Sequence, residues 1–151
     1  MILNIKKNCI AVGKHKGKLR ELAHQVKTGN RAAILTAASL MSILVPQNAT
    51  LVPIPGHEGD ATYTYEIAKE IGRIIGVPVV DAIQGFRRES SHEAKLAGRS
   101  IASKVWFYKI EDIPKDSLVV FIDNCVATGK TCEAARHALG DRGYTLAITL
   151  A

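Results

Sequence analysis

The chain has 151 residues, 47% of them hydrophobic and 23% charged, with a net charge of +6. That supports one domain with a real core, and no apolar run reaches the roughly 18 residues of a membrane span. Basic balance suits anionic partners, yet aromatics are only 5% of residues, too few for an obvious base-stacking surface, so nucleic acid is not the expected partner.

At the N-terminus, the lysines follow a short apolar stretch instead of preceding a long one, which is not a secretion signal; cytoplasmic residence is expected. Residues 1–46 are predicted to be mainly helical and are a candidate hood over a site. Leu19, Leu22, Ala23 and Val26 mark one helix face, broken by Thr28-Gly29-Asn30. A second helix carries Ile34, Leu35, Ala38, Met41 and Val45, and Pro46 stops it. Thr50 to Ile54 reads as a short buried strand whose Pro53 belongs at an edge or a strand end. A tight loop, Pro55 to Asp60, precedes a helix capped by Asp60 or Thr62, with Ile67, Ile71, Ile74 and Ile75 inward and Gly76 at its end.

Val77 to Val80 is expected as another short strand. Residues 84–99 are polar and charged, with helix from about Ser91. Val105 to Ile110 is a β-type run, and Leu118 to Ile122 reads as a strand buried on both faces. The next helix turns Thr131, Ala134, Ala135, Ala138 and Leu139 to the core, and Tyr144 to Leu150 forms the last strand. Alternating strands and helices give the α/β class, a mostly parallel sheet flanked by helices. Three cysteines, Cys9, Cys125 and Cys132, without Cys-x-x-Cys spacing, argue against a disulfide framework or a zinc site.

The chemistry concentrates after Ile122. An apolar strand ends at Asp123, a short loop follows, and Thr128-Gly129-Lys130-Thr131 opens a helix. Backbone N–H groups and the helix dipole make that corner a phosphate site, and the adjacent acid can accept hydrogen bonds from sugar hydroxyls. Phosphate on one side and a diol on the other describe a sugar phosphate. Two other readings compete. Gly129-Lys130-Thr131 fits the end of a nucleotide-triphosphate P-loop, but Asn124 stands where its first glycine belongs. Asp123 and Asn124 can also serve as a plain polar turn.

Val119-Val-Phe-Ile-Asp-Asn-Cys-Val-Ala-Thr-Gly-Lys-Thr131 closely resembles the phosphoribosyl pyrophosphate motif of type I phosphoribosyltransferases. That resemblance implies their Rossmann-like fold, phosphoribosyl pyrophosphate as donor, a nucleobase-like acceptor, Mg²⁺ and often a homodimer. It assigns Asp123 and Asn124 to the ribose hydroxyls. Val126, Ala127, Thr128, Gly129, Lys130 and Thr131 would hold the 5′-phosphate. Asp123 could reach a metal through water. Asn124 replaces the usual second acid, and Ala127 stands where 6-oxopurine enzymes carry an acidic base. Segments Lys16 to Gly29 and Leu51 to His57 look like the ComF-type branch, here without its zinc ribbon. By the same resemblance Pro55, Gly56 and His57 form the pyrophosphate loop, with Gly56 and Gly59 aiming N–H groups at an anion. His57 is equally a solvated turn histidine. Arg87, Arg88, Lys95 and Arg99 lie where the family has its catalytic loop, with Arg87 and Arg88 the leading candidates. A regulator that only binds the sugar pyrophosphate, or a ComF-like DNA-uptake accessory protein, is the alternative. Lys14, Lys16, Lys18 and Arg20 read as a solvated helix face.

Overall fold

A computed structural model describes residues 4–87 and 105–151 of the chain. The elements run β1 (Asn4–Lys6), β2 (Cys9–Lys14), α1 (Gly17–Lys27), α2 (Arg31–Ser42), β3 (Ala49–Pro53), α3 (Tyr63–Ile75), β4 (Ile83–Gly85), β5 (Phe107–Lys109), β6 (Leu118–Val126), α4 (Lys130–Ala138) and β7 (Tyr144–Leu150). Arg88, Lys95, Arg99 and the helix expected from Ser91 lie outside the described residues.

The expected α/β class is what the chain adopts. Five strands form one sheet in the order β1-β2-β7-β6-β3. Four of them are parallel, and β1 pairs antiparallel with β2 at one edge. The helical expectation for residues 1–46 is corrected at its start, because residues 4–14 form a β-hairpin. Its turn at Lys7 carries φ 31° on a non-glycine residue, so the usual Asn-Gly signal is missing.

Residue alternation along the parallel strands fills both sheet faces. Val120 and Ile122 of β6, with Leu146 and Ile148 of β7, pack under α1, α2 and α3. Val119 and Phe121 face the other way, against Ala135 and Leu139 of α4 and Phe107 of β5. Ile67 and Ile71 of α3 are fully buried, each stabilising the fold by about 1.5–3 kcal/mol relative to exposure. Two expected core residues are not there: Leu35 is 36% and Ile74 42% exposed, since each helix buries a narrower stripe than its apolar residues span.

Pro53 sits at a strand end, in the strand that borders the sheet. The strand expected at 77–80 reduces to one parallel bridge, Leu51 with Val79, because Pro78 has no N–H for a ladder. The run at 105–110 joins no parallel sheet. Its β5 pairs antiparallel with β4, Gly85 opposite Phe107, as a separate two-stranded ribbon. Among the described residues no helix is long and apolar enough to cross a membrane.

Candidate functional site

The decisive departure from the sequence reading is where β6 stops. It runs to Val126, beyond the apolar stretch, so the loop shrinks to Ala127–Gly129. Since β6 has not turned at Asp123, Asp123 and Asn124 point to opposite sheet faces.

Asp123 is half-buried and accepts a hydrogen bond from Asn124 N at 2.7 Å. Its charge is felt on the α4 side. The Cys132 thiol there is pushed far up, first by its hydrogen bond with Cys9, then by burial, with Asp123 adding to the rise. Beyond Val126, exposed Ala127 and Thr128 lead into half-buried Gly129, the N-cap of α4. Gly129 has φ 84°, and a Cβ there would meet no protein atom within 4 Å. The loop therefore needs glycine for its backbone, and the space above it is open. No side chain caps α4. Thr128 Oγ1 instead accepts from Lys130 N at 3.4 Å. Lys130 is exposed and Thr131 half-buried at the helix start. A carboxylate, an open glycine loop and a helix N-terminus thus share one corner, an arrangement suited to an anion beside a diol.

Asn124 does not join that corner. It is 5% exposed and lies under α1, where its Nδ2 donates to Ala23 O at 2.9 Å. Its Oδ1 is buried without a hydrogen-bond partner. Its assignment to the ribose is therefore corrected: the side chain ties α1 across the sheet instead of facing a ligand.

The Pro55–Asp60 loop is as tight as expected, but its glycine amides are not offered to an anion. Gly56 N donates to Asp60 O and Gly59 N to Gly56 O, both at 3.0 Å. What the loop does present is charge. Glu58 holds His57 Nε2 at 3.2 Å and Arg87 Nε at 3.2 Å. Sequence reading passed over Glu58; a lone acid in a polar loop carries no signal of which cations it will meet. The loop also leans on the ribbon. Gly85 N donates to Gly59 O at 2.9 Å, and Gln84 Nε2 to Asp60 Oδ1 at 2.8 Å. A Cβ on Gly59, at φ 101°, would come within 2.5 Å of Gly85 O, so only glycine permits this approach. Thr62 occupies the cap position of α3 without a side-chain cap bond, while Thr64 Oγ1 donates to Ile54 O at 2.7 Å.

The helices proposed as a hood are core elements, with Ala23, Val26, Ile34, Ala38 and Met41 all buried. A cavity of about 580 Å³ lies between the α1–α2 turn and the start of α3, lined by Lys27, Arg31, Ile34, Tyr63, Tyr65 and Glu66 among others. Glu70, buried behind it, takes hydrogen bonds from Arg31 at 2.5 Å and Arg73 at 2.9 Å, which hold its carboxyl below the ordinary range.

No family model matches the chain. A stretch of 47 residues, 31% of the chain, is 38% identical to part of the uracil phosphoribosyltransferase of Mycoplasma mobile. The matched stretch spans 23% of that protein's length, so what the chain shares with it is a segment.

Proposed function

We propose that the chain is a phosphoribosyltransferase, passing the phosphoribosyl group of phosphoribosyl pyrophosphate to a nitrogen of a nucleobase-like acceptor and releasing pyrophosphate. One observation carries the reading: half-buried Asp123, near the end of β6, has its charge on the α4 side, and the strand leads on into an open glycine loop and the uncapped N-terminus of α4. The segment shared with a uracil phosphoribosyltransferase supports it.

In this reading the amides of Ala127–Thr131 take the 5′-phosphate and Asp123 takes the ribose hydroxyls. With both ends held, C1 is placed for attack. Breaking the bond to pyrophosphate leaves positive charge on the ring, which the Asp123 carboxylate stabilises in a partly water-excluded position. Among the described residues no three His, Cys, Asp or Glu side chains gather as a metal cage. Mg²⁺, when bound, would come in with the donor's phosphates and help take up the leaving charge, and Asp123 is the residue that would reach it through water. His57 and Arg87 face the departing pyrophosphate once Glu58 releases them.

A second reading, a regulator that binds the donor without turnover, draws on Asn124: buried as it is, it leaves Asp123 as the single acid of the motif. Titration of phosphoribosyl pyrophosphate with and without Mg²⁺, then a screen of nucleobases for pyrophosphate release, separates the two. Release with any base establishes transfer; binding without release establishes the regulator. Asp123→Ala is expected to weaken donor binding about tenfold or more, at least about 1.4 kcal/mol, with an unchanged melting temperature. Unaltered affinity removes Asp123 from the site.

A further inference from the structure

The sheet edge carries a second cluster that sugar binding does not use. Cys125 lies on β6 two residues beyond Asp123, and its partner His15 sits beside α1, the His15 and His24 ring centroids 5.8 Å apart. The Cys125 Sγ is 3.6 Å from His15 Nδ1, and that nitrogen is 2.8 Å from Thr149 Oγ1 of β7. His15 follows β2 and is pinned there by its own N–H, which donates to Leu150 O at 3.0 Å. Cys125 and His15 are half-buried, so small solutes reach them, whereas Cys9 and Cys132 are 3% and 1% exposed.

Burial, and then the positive field of Arg20, His24 and Lys27 on α1, hold His15 below its ordinary 6.5. On the sheet side its neighbours are the Thr149 hydroxyl and the Cys125 thiol. A ring so placed is neutral at neutral pH; it can accept a proton and give it up readily. Nucleophile, base and a hydroxyl that orients the base come from three different elements, the arrangement of an activated thiol.

We propose that Cys125 is a peroxide-reactive thiol, with His15 as its proton acceptor and Thr149 orienting the ring. The thiol passes its proton to His15 Nδ1, and the Thr149 hydroxyl turns to accept from that N–H. Sγ attacks one oxygen of a hydroperoxide; an S–O bond forms and the O–O bond breaks. Sulfur is oxidised by two electrons to a sulfenic acid. The hydroperoxide is reduced to an alcohol, or to water in the case of hydrogen peroxide, and its leaving oxygen takes the proton back from His15. Along the backbone, Cys125 is two residues of strand, about 7 Å, from Asp123. That the new group then obstructs a sugar phosphate rests on the function proposed above.

The full chain is treated with hydrogen peroxide and dimedone over about pH 5 to 9, and each cysteine is read by mass spectrometry. The adduct is expected on Cys125 alone, forming about tenfold faster than on free cysteine at neutral pH. In the parent the rate climbs as His15 loses its proton, below 6.5. In His15→Gln the climb tied to the His15 proton is lost. A rate no faster than free cysteine, equal labelling of all three cysteines, or an unmoved profile in His15→Gln overturns the proposal. Thr149→Val provides a second variant: the rate drops a few-fold (roughly, as a misplaced base does) while Cys9 and Cys132 stay unlabelled, reporting an intact core; an undiminished rate overturns the orienting role. Ribose 5-phosphate affinity is measured before and after oxidation. Undiminished affinity leaves the thiol standing and overturns its link to the sugar site; no binding in either state overturns the sugar reading alone.

Discussion

Two neighbours in sequence, Asp123 and Asn124, have different work because a strand places successive side chains on opposite faces. An acid at 124 would set its charge against the Ala23 carbonyl beneath α1. Asn124→Asp is accordingly expected to lower stability by about 1–3 kcal/mol in urea unfolding; equal stability would mean the side chain is not under α1. Glu58 offers a second case. It holds His57 and Arg87, all three well exposed, so the pairs contribute little to stability. Glu58→Gln is expected to raise pyrophosphate affinity about two- to fivefold at low salt, the gain fading as salt screens it. No gain at low salt would show that these cations do not face the anion. That Asp123 precedes a glycine loop and a helix start was legible from residue types alone. The fate of Asn124 was not, because it depended on whether β6 had ended, and hydrophobicity stops marking a strand where polar residues continue it.

Elements with strong periodicity were readable. The strand Tyr144–Leu150 has the expected limits, and α3 ends at Gly76 as expected. The N-terminal hairpin escaped because its turn uses Lys7 where glycine or asparagine would announce it. The strand β5 was readable within the run 105–110, but its partner β4 and their pairing escaped because β4 is three residues long and the two pair across more than twenty intervening positions. Between α2 and α3, Glu70 joins Arg31 to Arg73 while nearly buried. The arginines favour its charged form, so its folded pKa lies below the reference 4.5. Such a group adds stability that is present above 4.5 and lost as pH falls through the folded value. Acid titration of the melting temperature should therefore be steeper for the parent than for Glu70→Gln; parallel curves would show that the bridge adds nothing.

At the scale of the whole molecule, the alternation of strands and helices announces a parallel sheet, and the sheet sets its loops at one edge. Its order is less legible. The edge hairpin and the detached ribbon depend on pairings between distant segments, which local pattern does not encode. The ribbon lies on the Pro55–Asp60 loop through Gly59–Gly85, Asp60–Gln84 and Glu58–Arg87. Tyr108 extends this chain, its hydroxyl donating to Gln84 Oε1 at 3.3 Å. Phe86 stacks on Trp106 with ring centroids 5.9 Å apart, and its ring also tilts against Tyr108 at 5.5 Å.

Trp106 is the chain's single tryptophan and is 63% exposed. Every indole photon therefore originates on a platform bolted to the segment proposed to meet pyrophosphate. Saturating the protein with that anion should alter the emission intensity or wavelength, giving an optical titration that needs no label. A spectrum that stays constant while calorimetry records heat would reveal that the platform and the segment beneath it respond separately.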